Sequence, residues 1–355
     1  MTVVFYALTD LDLCLNRLPI AHHLRDAGYR VVFVGAGINC AADLEAAGFE
    51  FHVIASTGRN VISDVSSTLH LMRTLKQIQP DILHTFGLHA ALRGGLAARF
   101  AHVSWVVHSV TAPPGIKNRP SRLLQSALRH AEVTFLSKKD RDAFIARAYV
   151  RPEQTHVLRS TGVDLREIPT RDEPDRIPVA ALVSTPSGAG LQGFADAAES
   201  INKERRVARF AFIGHAPYPE MQTLLHRWQE EGQVEWWGVR HDLTAALGSV
   251  HVICLPFDIG ELATLQACAV GRPIIAIGDG VDREIIRAGE NGYIVPTDDS
   301  AALAASLREL VSDEEKRKRI GRRARALVES DYSAARVAQE IMVVYERLFE
   351  KGRFV

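Results

Sequence analysis

Along the chain, short runs of β-branched and aromatic residues alternate with longer stretches in which apolar side chains recur every three or four positions. The runs in the first half are Val3–Tyr6, Val31–Val34, Phe51–Ile54, Ile82–His84, Trp105–Val107 and Val133–Leu136. Helical periodicity between them predicts helices over 16–27, 40–47, 63–78, 87–101 and 119–131. Apolar strands separated by amphipathic helices suit a parallel sheet covered on both faces, because each crossover helix returns the chain to the same edge. The first half therefore predicts one doubly wound sheet.

The stretch from Ile168 to Pro178, with Pro169 and Pro174 among charged residues, breaks this alternation and reads as a linker. Strands are then predicted over 179–184, 209–213, 250–255, 273–277 and 293–295, with helices over 190–203, 217–231, 261–270, 282–288 and 300–311. The fold class expected is α/β, with two doubly wound Rossmann-like domains facing a cleft and ligands beyond the carboxyl ends of the strands. The domains expected are 1–167, 168–332 and a final helix, 333–355. On that helix Ala334, Val337, Ala338, Ile341, Met342, Tyr345 and Leu348 form a stripe that needs cover. Ser312 opens a Ser-x-x-Glu capping box before Lys316-Arg317-Lys318-Arg319, and that basic run reads as a solvated helix face.

With 355 residues, 47% of them apolar and 24% charged, the chain has the composition of two globular domains, which excludes disorder and fibres. The 42 basic and 42 acidic residues cancel, which argues against nucleic acid as a partner. They are unevenly spread: residues 1–170 hold 19 Lys and Arg against 14 Asp and Glu, a surplus that a membrane-facing half would use. Cys14, Cys40, Cys254 and Cys268 form no Cys-x-x-Cys pair, so neither a disulfide framework nor a structural metal is expected. Met1–Leu8 is too short an apolar run for a leader or a membrane span, and a cytoplasmic location is expected.

Two glycine-rich turns carry candidate chemistry. Gly35-Ala36-Gly37 starts like a dinucleotide fingerprint, but Cys40 occupies the third glycine place and the motif follows the second strand, which argues against a dehydrogenase. Ser184-Thr185-Pro186-Ser187-Gly188-Ala189-Gly190 follows a predicted strand and opens a helix. Backbone amides and the positive helix end there suit a diphosphate without a metal; the same glycines also suit a plain tight turn.

The second half then resembles the donor-sugar domain of family four retaining glycosyltransferases. The segments that carry the resemblance are Val234-Glu235-Trp236-Trp237-Gly238, Leu255-Pro256, Ala267-Cys268-Ala269-Val270-Gly271-Arg272-Pro273, Arg283-Glu284-Ile285-Ile286 and Gly289 to Pro296. In the first half, Asn16 to Ala21, Gln79 to His84, Gly94 to Arg99 and Ser160 to Leu165 resemble the acceptor domain of the subgroup that extends lipid-linked sugars in bacterial polysaccharide pathways. The resemblance implies the GT-B architecture, with the last helix crossing back onto the first domain.

The resemblance also implies a site. Family members set an Arg and, five residues on, a Lys against the departing diphosphate; Ser184 and Ala189 stand there. The two carboxylates of the family's E-x7-E pattern fall on Asp258 and Gln266, with Glu261 the nearest spare acid. The donor-binding candidates are thus Ser184, Gly188, Gly190, Glu261 and Gln266, and the catalytic candidates His108 and Asp258. Arg17 and His84 are expected on the acceptor side, and Trp236 and Trp237 are read as packing. The implied activity moves a sugar, with retention, from a nucleotide diphosphate sugar such as a UDP-sugar to a lipid-linked or saccharide acceptor, with no metal or other cofactor. Lys117, Arg119, Arg122, Arg129, Lys138, Lys139 and Arg141 would give peripheral contact with the inner face of the membrane. The altered donor positions also fit a catalytically degenerate scaffold for a partner glycosyltransferase. A sugar-nucleotide epimerase is a third reading by fold analogy.

Overall fold

The computed structural model describes residues 1–38, 40–54, 61–110, 122–174, 176–185, 187–216, 218–240, 242–278 and 285–351. The chain forms two compact units, Met1–Gly162 with Ala334–Val355, and Val163–Ser333.

The first unit holds seven strands: β1 (Thr2–Ala7), β2 (Arg30–Gly35), β3 (Glu50–Val53), β4 (Ile82–Phe86), β5 (Trp105–Ser109), β6 (Glu132–Phe135) and β7 (Thr155–Val157). They pair in parallel in the order β3-β2-β1-β4-β5-β6-β7. Its helices are α1 (Leu18–Asp26), α2 (Ala41–Ala46), α3 (Val61–Ile78), α4 (Leu88–Ala101), α5 (Arg122–Leu128) and α6 (Lys138–Ala146). The second unit holds β8 (Val179–Val183), β9 (Arg209–Ile213), β10 (Glu235–Gly238), β11 (Val252–Pro256), β12 (Ile274–Ile277) and β13 (Gly292–Val295). These also pair in parallel, in the order β10-β9-β8-β11-β12-β13. Its helices are α7 (Leu191–Asn202), α8 (Pro219–Glu230), α9 (Leu243–Gly248), α10 (Glu261–Ala269), α11 (Ser300–Ser312) and α12 (Glu314–Leu327). The chain then returns to the first unit as α13 (Ala334–Lys351).

Alternation along β1 decides the layers of the first unit. Val3 and Phe5 join Phe33, Ile20 and Leu24 on one face, whereas Val4 and Tyr6 join Leu71, Leu75, Ala97 and Ala98 on the other. The stripe on α13 is covered there: Val337, Ile341, Tyr345 and Leu348 are buried in the cluster built on Val3 and Phe5. Each such side chain is worth about 1.5–3 kcal/mol when buried, so the helix is held firmly to this sheet.

Close approaches explain two paired glycines. A β-carbon on Gly94 would lie 2.5 Å from the γ-methyl of Thr85, and one on Gly95 would lie 3.0 Å from Ala127, so α4 can sit this near β4 and α5 only without side chains there.

Several sequence expectations are corrected. Strands β7 and β10 and helices α6 and α9 were not foreseen: β7 and β10 are short edge strands, half-buried throughout, and show no alternation to read. Asp313, not Ser312, caps α12, its carboxylate accepting from the Lys316 N–H at 2.9 Å, while Ser312 ends α11 and bonds back to the Arg308 carbonyl. Arg317, expected to be solvated, is buried and pairs with Glu173 at 2.8 Å. Arg272 of the Gly-Arg-Pro segment is buried too, donating to the carbonyls of Val250, Arg171, Asp172 and Gly248 at 2.8–3.0 Å, which ties the linker to the second unit. Of the helix expected over 282–288, residues 282–284 lie outside the described residues, and 285–288 form a turn and an isolated bridge from Ala288 to Gly292 in place of a helix.

Candidate functional site

In each unit the candidate groups gather where the strands end. In the first, the carboxyl ends of β1, β4, β5 and β6 enclose a cavity of about 290 Å³. Its wall includes Thr9, Asp12, Arg17, Phe86, Ser109 and Thr134. Helix α4 starts at this cavity from Gly87, whose φ of +93° favours glycine, and no side chain caps the helix. Its first amides and positive end therefore suit an anion.

Arg17 ends a π-helical turn, Leu13–Arg17, that leads into α1. Its guanidinium lies 4.2 Å from the centre of the Phe86 ring and 3.6 Å from the Asp12 carboxylate, with the side chain only 13% exposed. The cavity thus carries a fixed cation on its wall.

His84 sits one layer deeper. It stacks on Phe86 with ring centres 4.4 Å apart, and its Nδ1 is 2.7 Å from the Tyr345 hydroxyl. Its Nε2 is 2.8 Å from Ser109 Oγ, which lies 2.7 Å from Thr134 Oγ1. A hydrogen-bonded row therefore runs from α13 through His84 to two hydroxyls on the cavity wall. Complete burial, with Arg17 and His108 as neighbours, pushes the His84 pKa well below the usual histidine range, so the imidazole is neutral at physiological pH.

His108, expected to face a sugar, is instead fully buried. β5 is in register with β4, which sets His108 opposite Thr85 and turns it to the face that α4 and α5 cover. Its Nε2 is 3.3 Å from the Ala127 carbonyl, which can only accept, so Nε2 carries the proton and Nδ1 accepts from the Thr85 hydroxyl at 2.7 Å. Burial lowers its pKa to about 4.

In the second unit, Ser184 follows β8, and its hydroxyl donates to the His215 carbonyl at 2.6 Å. Gly188 and Gly190 both adopt left-handed backbone, with φ of +68° and +76°, and Gly190 opens α7 with no side-chain cap. Within the turn, the Gly188 N–H donates to the Thr185 carbonyl and the Ala189 N–H to Ser187 Oγ, both at 3.1 Å. The Leu191 N–H also donates, to the Gly188 carbonyl at 3.4 Å, so the anion-binding capacity of this segment lies in the next amides of α7, those of Gln192 and Gly193. Tyr218 closes one side, its hydroxyl donating to the Ser187 carbonyl at 2.9 Å.

Asp258 is exposed in the turn between β11 and α10; Glu261 is the first residue of α10, and Gln266 lies on its second turn, both half-exposed. Five residues of α-helix separate Glu261 from Gln266, about 140° around the axis, so the two cannot line one face. Trp236 donates through Nε1 to the Gly214 carbonyl at 3.0 Å and packs against the second unit's core, and Trp237 donates to Glu235 at 3.2 Å. Glu284, Arg283, Lys117 and Arg119 lie outside the described residues.

From the sequence, Ser109 is expected only as the start of a loop, Ser109 to Gly115, that borders the acceptor, Tyr345 only as part of the packing stripe, and Thr134 not at all. Separations of 25 residues from Ser109 to Thr134 and 261 from His84 to Tyr345 leave no local signal.

Two parallel doubly wound sheets with this strand order and a returning last helix define a protein of the GT-B class. Residues 19–167 match the family model described as Glycosyltransferase Family 4, and residues 178–313 the one described as Glycosyl transferases group 1. The two models, one on each half of the chain, together with the fold mark it as a glycosyltransferase of the GT-B type. A putative colanic acid biosynthesis glycosyltransferase, WcaL, of Salmonella typhimurium is 27% identical over 54% of this chain and 50% of its own length. The chain thus spans about half the length of that curated relative. A UDP-Gal:alpha-D-GlcNAc-diphosphoundecaprenol alpha-1,3-galactosyltransferase of Escherichia coli is 24% identical over 72% of each chain. Among solved structures, a glycosyltransferase of Rickettsia africae aligns over 98% of both chains with a TM-score of 0.79 at 15% identity. HepE of Anabaena, in complex with UDP and glucose, aligns over 98% of this chain and 100% of its own with a TM-score of 0.74 at 18% identity. At these identities the structural likeness speaks for the fold.

Proposed function

We propose that this protein transfers a sugar, with retention and without a metal, from a nucleotide diphosphate sugar to a lipid-linked or saccharide acceptor during bacterial surface polysaccharide assembly. The observation that carries the reading is the pair of left-handed glycines, Gly188 and Gly190, leading into an uncapped α7. The first amides of that helix receive the diphosphate, and Asp258 and Glu261 supply polar contacts to the sugar nucleotide, whereas Gln266 lies about 140° around α10 from Glu261 and faces elsewhere. The attack is front-face: the acceptor oxygen bonds to the anomeric carbon as the bond to the diphosphate breaks, and the departing phosphate oxygen takes the acceptor proton. UDP is the favoured donor nucleotide, since HepE is described with UDP and the Escherichia coli relative with UDP-Gal.

On the acceptor side, Arg17 and the first amides of α4 receive phosphate, and the Ser109 and Thr134 hydroxyls receive sugar hydroxyls. His84 holds Ser109 in place. Contact with the cytoplasmic face of the membrane is part of the reading: Arg122 stands next to Leu123, which is 61% exposed, at the start of α5, and Lys138 and Lys139 open α6. Among the described residues no helix is long and apolar enough to cross a membrane.

A helix end contributes about 0.3–1 kcal/mol to a bound anion. A preorganised donor to a transition-state anion is worth about 3–4 kcal/mol. With Ser184 and Ala189 where the resemblance implies two cations, transfer is expected to be slow.

Calorimetric titration of the full chain with UDP, GDP and ADP in the presence of a chelator tests the proposal. One diphosphate is expected to bind, and weaker binding by Gly190→Pro, which removes an amide and forbids the positive φ, supports the assignment of the turn. Absence of binding to all three overturns it. A second reading, a non-catalytic partner of another glycosyltransferase, is favoured by one observation: Ser184 Oγ is engaged with the His215 carbonyl. Nucleotide binding with no transfer to a prenyl-diphosphate sugar in any donor combination supports that reading.

A further inference from the structure

The segment that bears Asp12 and Arg17 also carries one of two neighbouring thiols. Cys14 lies in the π-helical turn after β1, and Cys40 directly precedes α2, which carries Asp43. The two Sγ atoms and a carboxylate oxygen of Asp43 lie within 4.8 Å of one another. All four cysteines of the chain are free thiols.

Cys40 is held in place twice by Asp10, its N–H donating to the carboxylate at 2.8 Å and its thiol to the Asp10 carbonyl at 3.3 Å. The Cys14 thiol donates to the Cys40 carbonyl at 3.3 Å. Burial is graded: Cys40 is buried, Cys14 half-buried and Asp43 exposed, which gives an ion a path from solvent.

We propose that Cys14, Cys40 and Asp43 form a binding site for a thiophilic divalent cation of the zinc type. Two sulfurs and one carboxylate oxygen from the π-helical turn and the start of α2, with water in the fourth position, satisfy the tetrahedral preference of such an ion and its preference for sulfur. Metal–sulfur bonds of about 2.3 Å and metal–oxygen bonds of about 2.1 Å put ligand atoms about 3.5–3.8 Å apart, so the cluster closes by at most about 1 Å on binding. Two S–H bonds are exchanged for two metal–sulfur bonds, and both protons pass to solvent, with no change of oxidation state. Asp10 is the positioning residue, because it fixes the Cys40 main chain and thiol. Loading the site ties the turn that presents Asp12 and Arg17 to the loop before α2, which stiffens one wall of the cavity. The site lies in the first unit and is separate from the proposed donor chemistry.

Titration of the full chain, reduced and freed of metal by chelator, with Co²⁺ tests the site. A sulfur-to-cobalt charge-transfer band that saturates at one equivalent and is displaced by Zn²⁺ is expected. Cys14→Ser should abolish the band. Asp43→Asn, at an exposed position that leaves folding intact, should weaken Zn²⁺ binding by about tenfold or more. No band, an unchanged band in Cys14→Ser, or equal Zn²⁺ affinity in Asp43→Asn overturns the proposal. Nucleotide titration of the metal-free chain reads the donor turn independently, so failure of one assignment is distinguishable from failure of the other.

Discussion

Acidification should weaken the first unit through His108. The ring is fully buried, and burial holds its folded-state pKa at about 4, against about 6.5 when unfolded. Above pH 6.5 the ring is neutral in both states and costs nothing. As pH falls from 6.5 towards 4 the unfolded chain takes up a proton that the folded one refuses, so stability declines at about 1.4 kcal/mol per pH unit and then levels off. The whole window is worth about 3 kcal/mol, of which about 2 kcal/mol is lost between pH 7 and pH 5. His84 pushes in the same direction, so the test compares the full chain with His108→Gln by urea denaturation at both pH values. Gln can still donate to the Ala127 carbonyl but cannot titrate. The stability gap between wild type and variant should narrow by about 2 kcal/mol from pH 7 to pH 5. A gap independent of pH, or a His108 ring that titrates near 6.5 by NMR, refutes the burial argument and returns His108 to a surface where a sugar could reach it.

Other perturbations follow from single contacts. Gly94→Ala places a β-carbon 2.5 Å from the γ-methyl of Thr85 and should cost about 1–3 kcal/mol, read as a lowered melting temperature; an unchanged value means that α4 can slide. Arg272→Met strips four carbonyls of their donor and should destabilise the second unit by about 3–5 kcal/mol in chemical denaturation, with early proteolysis at the 168–178 linker. Tyr345→Phe leaves the buried Nδ1 of His84 without its hydroxyl and should cost about 1–3 kcal/mol, and the ring ¹⁵N shifts of His84 should move with it. Unmoved shifts exclude Tyr345 as its partner.

Local pattern was enough for the two parallel sheets, because a strand buried on both faces must be apolar throughout and a crossover helix must be amphipathic. The stripe on 334–348 likewise announced that α13 needs a cover. The tight turn after β8 was legible as well, since left-handed backbone at Gly188 and Gly190 leaves its mark as glycine. Pairing, by contrast, depends on register. β4 and β5 set Thr85 beside His108, and β5 and β6 set Ser109 beside Thr134; one position of slip would have turned His108 towards the α13 face. The same holds for charge: Arg317 reads as a surface residue until Glu173 closes over it, and nothing local marks Arg272 as the group that the linker carbonyls enclose. Local sequence thus determined which segments became strand or helix, because that depends on neighbours within a few residues. Which side chains meet was decided only by the folded sheets, because burial, protonation and hydrogen bonding depend on partners up to 261 residues away.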